Sequence, residues 1–89
     1  MPTISMFYGI LVQMYFYDDN EHHKPHIHVK YQGEEAVLEI PTGNVLSGSI
    51  KANKLKLVQA WVEIHQEDLM ADWELAVSGS AVFNIDPLR

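Results

Sequence analysis

The chain has 89 residues, a formal net charge of −6 and no cysteine, and this length leaves room for one core, so we expect a single domain over residues 1–89. The missing cysteines exclude disulfides, thiolate metal ligands and a cysteine nucleophile, and a small domain without disulfides is typical of the reducing cytoplasm, where we expect it. The negative charge disfavours nucleic acid as a stable partner, because proteins that bind nucleic acid concentrate lysine and arginine on one face.

The first predicted element is rich in β-branched and aromatic residues and runs from Ile4 to Tyr17. Two short strands hinged at Gly9, or one bent strand, both explain this composition. The apolar run from Met6 to Phe16 is too short to span a bilayer, so we interpret it as buried strand and expect no membrane segment. Residues 18–20, Asp-Asp-Asn, are typical of a turn.

The next part of the chain has the pattern of an antiparallel meander. Apolar and polar side chains alternate over residues 26–31, which predicts a strand. Residues 32–35 contain glycine and predict the turn of a β-hairpin, with residues 36–40 as the returning strand. Residues 41–44 then predict a second turn, and residues 45–49 a third strand.

After residue 50 the apolar period changes to that of a helix. We predict an amphipathic helix from Ala52 or Asn53 to about residue 66 and a second helix over residues 67–77. Gly79 suits the left-handed C-terminal cap, and residues 81–85 can add a short strand. The predicted apolar helical face consists of Leu55, Leu57, Val58, Trp61, Val62, Ile64 and Leu69.

Strands that precede helices along the chain indicate an α+β fold. We therefore expect a small antiparallel β-sheet, a meander with its hairpin at about residues 26–40. The helices at about residues 52–66 and 67–77 should pack on one face of this sheet. A parallel doubly wound sheet is disfavoured, because no strand–helix–strand crossover precedes the tail.

Four of the five histidines lie within residues 22–28, which is the chemically distinctive segment of the chain. His26 and His28 are two positions apart on a predicted strand, so both imidazoles should project from the same face. Such a pair can present two nitrogens to one metal ion. It can equally place a general base beside a second donor.

Hairpin geometry adds Glu39 to this pair. A two-residue loop at residues 32–33 sets His26 opposite Glu39, and a loop at residues 33–34 sets His28 opposite Glu39. Two imidazoles and a carboxylate can bind a divalent metal ion such as zinc, or form an acid/base pair with an orienting group. His26, His28 and Glu39 are therefore the candidate catalytic residues, although a three-residue loop would remove Glu39 from the set.

The same residues also fit a purely structural interpretation. A polar sheet face carries histidine, lysine and glutamate, and cross-strand His–Glu pairs are ordinary surface stabilisation. His22 and His23 fall in a predicted loop, where they are either exposed or close the candidate site. His23 is on that basis a fourth candidate metal ligand beside His26, His28 and Glu39, and the sequence identifies no other cofactor.

Taken together, these segments resemble a small bacterial family known as domain of unknown function 4160. The segment Pro25-His26-Ile27-His28-Val29 is similar to its central proline–histidine–x–histidine motif, although many relatives carry an aromatic residue at the position of Ile27 and a second proline at that of Lys24. The resemblance implies a small prokaryotic protein, often encoded next to another small domain, in what has been suspected to be a toxin–antitoxin-like pair. The other matching segments are residues 1–5, 7–10, 14–16 and 36–40, Leu55, 57–58, Trp61, 65–69 and 72–74.

Two functions remain open at this point. The first is a protein-interaction component that binds a protein encoded nearby or self-associates; small size, negative charge and the lack of a complete catalytic signature favour it slightly. The second is a small metal- or histidine-dependent hydrolase or nuclease, the toxin of such a pair. In that case His26 or His28 acts as general base or metal ligand, Glu39 orients it, and a lysine contacts phosphate.

Overall fold

A computed structural model describes residues 3–15 and 24–89, and these form a five-stranded antiparallel sheet followed by two helices. The strands pair in chain order, so the sheet is a simple meander, and the predicted α+β fold is confirmed. The predicted turn at residues 18–20, and His22 and His23, lie outside the described residues. The elements are β1 (Thr3–Phe7), β2 (Ile10–Gln13), β3 (His26–Tyr31), β4 (Glu34–Glu39), β5 (Val45–Ser49), α1 (Ala52–Ile64) and α2 (Gln66–Val77).

The hinge near Gly9 is a tight two-residue turn between β1 and β2. Tyr8 and Gly9 both have positive φ, at 50° and 76°, and Phe7 pairs with Ile10 across the turn. Two positive φ values in succession match the right-handed twist of a hairpin. Of the two interpretations of this segment, two short strands hinged at Gly9 is confirmed.

The central hairpin is tighter than the predicted four-residue turn over residues 32–35. Gln32 and Gly33 alone form the loop, with φ of 46° and 83°, and β4 begins at Glu34. The loop is short because the glycine supplies one left-handed residue and Gln32 adopts the other. The resulting register sets His26 opposite Glu39.

The core lies between one face of the sheet and the helices, as predicted. Ile27 and Leu38 from the central hairpin are fully buried with Val58 and Trp61 of α1 and Leu69 of α2. Ile64, expected on the apolar helical face, is instead 65% exposed. Ile64 is still part of α1, but it lies two residues after the buried Val62, about 200° further around the helix, so its side chain faces away from the buried side.

The C-terminal end of α2 has the predicted glycine cap. Gly79 has φ of 82°, its amide donates to the Ala76 carbonyl, and the Ser80 amide donates to the Leu75 carbonyl. This is the hydrogen-bond pattern of a Schellman motif. The strand expected at residues 81–85 is wrong: the tail runs as an irregular segment and bonds to the edge strand through the Ile85 amide and the Ile4 carbonyl, at 2.7 Å.

Neither helix in the described part of the chain is long and apolar enough to cross a membrane.

Candidate functional site

The two strand histidines lie side by side, and both are buried. His26 is 0% and His28 5% exposed, so they are not part of a solvated polar face. Their ring centroids are 5.3 Å apart and their planes are inclined by 68°. Two imidazoles this close share one environment, as the spacing of two along a strand predicts.

A backbone hydrogen bond fixes the tautomer of His26. Its Nδ1 lies 2.7 Å from the carbonyl oxygen of Lys24, which can only accept, so Nδ1 carries the proton and the lone pair of a neutral ring is at Nε2. The other side of the ring packs against Trp73 of α2, with centroids 5.0 Å apart. His26 is thereby held between the start of β3 and a helix.

His28 is held by different partners, of which sequence reasoning missed both. Its Nδ1 lies 3.3 Å from the Glu35 Oε2, so this Nδ1 proton is also donated to an oxygen, here that of a carboxylate. The Tyr15 ring stacks on the imidazole at 4.2 Å and nearly parallel, at 13°. His28 pairs directly with Val37, which makes Glu35 a diagonal neighbour on β4. Long side chains reach diagonal neighbours, so the hairpin register could have predicted the contact between His28 and Glu35.

Glu39 faces His26 in the strand register, yet its carboxylate bonds elsewhere. Oε1 accepts a hydrogen bond from the Thr42 hydroxyl at 3.0 Å, and Oε2 lies 3.7 Å from the Lys24 Nζ. Over residues 3–15 and 24–89, no group of three histidine or acidic side chains is placed to hold a metal ion. His23 lies outside that part of the chain, so a metal site that includes it stays a prediction.

Gln13 adds an unsatisfied acceptor to the histidine face. It pairs with His28 across β2 and β3, it is buried, and its Oε1 has no hydrogen-bond partner among the described residues. A buried amide oxygen without a partner costs free energy, so it marks a place where a donor would be accommodated. The histidine face therefore has the chemistry to bind a proton donor or a cation.

A second site, which sequence reasoning missed, lies between α2 and the C-terminal segment. This feature, which we call the α2–tail groove, has a volume of about 710 Å³, within the range of ligand pockets. Phe83 lines it and is 71% exposed. Four carboxylates and one histidine also line it: Asp68, Asp72, Glu74, Asp86 and His65.

Asp72 is the unusual member of the groove, because it is only 3% exposed. Its Oδ1 accepts a hydrogen bond from the Phe83 amide at 3.0 Å, whereas its Oδ2 has no partner in the described part of the chain. Burial raises the pKa of Asp72 above its ordinary value, and the charge of Asp68 adds to this, while the Phe83 amide opposes it. Ionising Asp72 therefore costs folding free energy, a cost that is absent below the unfolded-state pKa and complete above the folded-state pKa.

The groove exists because the tail is held against the body of the domain. The indole Nε1 of Trp61 donates to the Asp86 carbonyl at 2.8 Å, and the Ile85 amide bonds to β1. These contacts join residues far apart in sequence, so no local pattern indicated them. Asp72 did leave a signal, since it lies three residues after Leu69 and so on the buried side of α2.

Comparison with known proteins gives one match. The model of the family described as "Domain of unknown function (DUF4160)" matches residues 9–74, which include the histidine pair and Asp72 but not the tail that completes the groove. No curated protein and no solved structure matches the chain.

Proposed function

This chain belongs to the DUF4160 family of domains of unknown function, and we propose that it acts as a protein-interaction component, the partner-binding half of a toxin–antitoxin-like pair. The observation that carries this proposal is the α2–tail groove, an acidic surface with an exposed phenylalanine at its rim. Aromatic side chains are enriched at protein–protein interfaces, and the rims of such interfaces are polar.

The occupant of the groove is a basic segment of a partner protein. Four carboxylates line the groove, and none of the six lysine and arginine residues of the chain does. The whole protein carries a formal charge of −6, which attracts a basic partner from a distance and accelerates association. Local and overall charge thus favour the same kind of partner.

Copurification with the protein encoded beside this gene tests the proposal. We expect a tagged wild-type protein to retain that neighbour, less so as salt concentration rises. Glu74→Lys reverses a charge in the groove and should weaken binding by about tenfold, equivalent to roughly 1.4 kcal/mol. The control is Glu63→Lys, the same charge change on an exposed position of α1 outside the groove, which should change binding by less than about threefold.

Two results would contradict the proposal. One is a monomeric protein that retains no neighbour at low salt. The other is neighbour binding that Glu74→Lys and Glu63→Lys weaken equally, which would place the interface elsewhere. The protein can also interact by self-association, which sedimentation of the purified protein detects. If Glu74→Lys leaves concentration-dependent dimers intact, the surface that forms the dimer lies outside the groove.

The histidine face supports a second candidate function, a small histidine- or metal-dependent hydrolase or nuclease that uses His26, His28 and Glu39. The specific observation is that both Nδ1 atoms lie against oxygen acceptors, Lys24 carbonyl and Glu35 carboxylate. Catalytic and metal-binding histidines are commonly oriented in this way, with Nε2 left as the base or ligand.

Growth of cells that express the protein separates the two functions. A toxic enzyme would arrest growth as wild type and lose toxicity in His26→Gln and His28→Gln, with His65→Gln as a control because His65 lies outside the histidine face. The interaction proposal predicts equal growth for all four proteins at equal soluble expression. Elemental analysis of untagged protein measures bound metal in the same material, and a stoichiometric metal lost in both variants would favour the enzyme.

A further inference from the structure

The unpartnered Oδ2 of Asp72 needs a positive partner that the described chain does not provide. A buried carboxylate without an opposite charge is costly; protonation relieves this cost, and so does a bound cation. The basic residue in the groove lining is His65, and its Nδ1 lies 3.5 Å from the Asp68 Oδ2 instead. Asp72 is therefore the acidic residue in this groove with both burial and an unused oxygen.

We infer that Asp72 is the anchor for the guanidinium of one arginine side chain in the partner's basic segment. This inference rests on the proposed interaction function and names the chemistry of its binding site. The Asp72 Oδ2 receives the buried end of the guanidinium, Asp68 supplies a second carboxylate at the groove, and the Phe83 ring supplies an aromatic surface.

An arginine fits this site better than other cations. A metal ion requires several ligands together, and the described residues contain no group of three that could hold one. Oδ1 of Asp72 is already bonded to the Phe83 amide, so Asp72 offers one oxygen and the cation has to reach a second carboxylate as well. A guanidinium is more weakly hydrated, has five donors that can bridge separate carboxylates, and stacks on aromatic rings.

Access to Asp72 requires a small movement of side chains. Its Oδ2 is shielded from solvent, while the neighbouring Phe83 ring is largely exposed and its backbone is bonded to the same carboxylate. Binding of a guanidinium should therefore perturb Phe83 together with Asp72. A simple attraction between surface charges would not perturb Phe83 together with Asp72.

The test is a titration of the purified full-length protein, followed by NMR, with a capped five-residue peptide that has arginine at its centre and alanines around it. We expect millimolar binding, with the largest shifts at the Asp72 and Phe83 amides. Asp72→Asn, which preserves shape and the bond to Phe83, should weaken binding at least tenfold. The control Glu63→Gln, which removes one negative charge at an exposed position of α1 outside the groove lining, should weaken it by no more than about threefold.

Three further probes make the result decisive. Replacing the central arginine by citrulline should abolish binding, and replacing it by lysine should weaken it several-fold. Equal binding of the citrulline peptide, or of the peptide to Asp72→Asn protein with a wild-type spectrum, would overturn the inference. Agmatine that binds more tightly than the peptide would also overturn it, in favour of a small free guanidine.

The two proposals fail separately. If the neighbour protein binds wild type and Asp72→Asn equally well, the arginine anchor is wrong and the interaction function stands. If the peptide binds at Asp72 but no neighbour is retained, the anchor stands and the proposed pair is wrong.

Discussion

Replacing Gly48 by alanine is expected to destabilise the fold by about 3 kcal/mol or more, of which roughly 1–2 kcal/mol is the backbone cost and the rest is overpacking. Gly48 has φ of +73°, in the left-handed region. An added Cβ would lie 2.3 Å from the Glu35 carbonyl oxygen and 3.1 Å from the Ala36 Cα. Both are backbone atoms of β4, so β5 would have to move away from the strand with which it pairs.

Gly33→Ala is the matched control for this prediction. Gly33 has a similar φ of +83°, but nothing lies within 4 Å of an added Cβ, so only the backbone cost of about 1–2 kcal/mol applies. Urea denaturation of both variants at equal m-value measures the difference. Equal destabilisation of the two variants would show that β5 shifts without cost and would contradict the predicted clash.

The alternation of side chains predicted the histidine face correctly, because the period of two along a strand depends only on local backbone geometry. It did not predict burial. The rings that contact the two histidines, Tyr15 and Trp73, come from the segment that follows β2 and from α2. Which polar strand face is covered is decided by the path of these other segments, and that path is not contained in the pattern of β3.

The contacts of Glu39 and Glu35 show a second limit of prediction from the sequence. Of the two alternative two-residue loops, the one at residues 32–33 is the one observed, and it sets Glu39 opposite His26 as predicted for that loop. The direction of each side chain then determines its partner. Glu39 contacts Thr42 and Lys24, and Glu35 contacts His28 diagonally across the strands. Register positions Cα atoms, whereas the rotamers of long side chains are selected by competing donors nearby.

Replacing Trp61 by alanine is expected to cost about 3–5 kcal/mol, as for other large aromatic side chains in cores. Trp61 is fully buried, and its ring lies 5.4 Å from that of Phe7. Domains of this size have only about 5–15 kcal/mol of stability in total, and small ones are near the lower end. We therefore expect Trp61→Ala to lower the thermal midpoint sharply and to reduce soluble yield.

Trp61→Phe isolates the second role of this residue, which is to hold the tail. Phenylalanine retains an aromatic ring in the core but leaves the Asp86 carbonyl without its indole donor, a loss of about 1 kcal/mol. Detachment of the tail should speed hydrogen exchange of the Ile85 amide, which bonds to Ile4, while the amide of Leu38 in the central hairpin keeps its protection.

Trp73→Phe is the control for this second role, because Trp73 of α2 is also in the core but contacts His26 of β3. It should lower stability without selectively exposing the Ile85 amide. Since Asp86 and Phe83 line the α2–tail groove, Trp61→Phe should also weaken binding of the arginine peptide, whereas Trp73→Phe should not. Loss of Ile85 protection in both variants alike would mean that the tail responds to global stability, and that the indole hydrogen bond is not what shapes the groove.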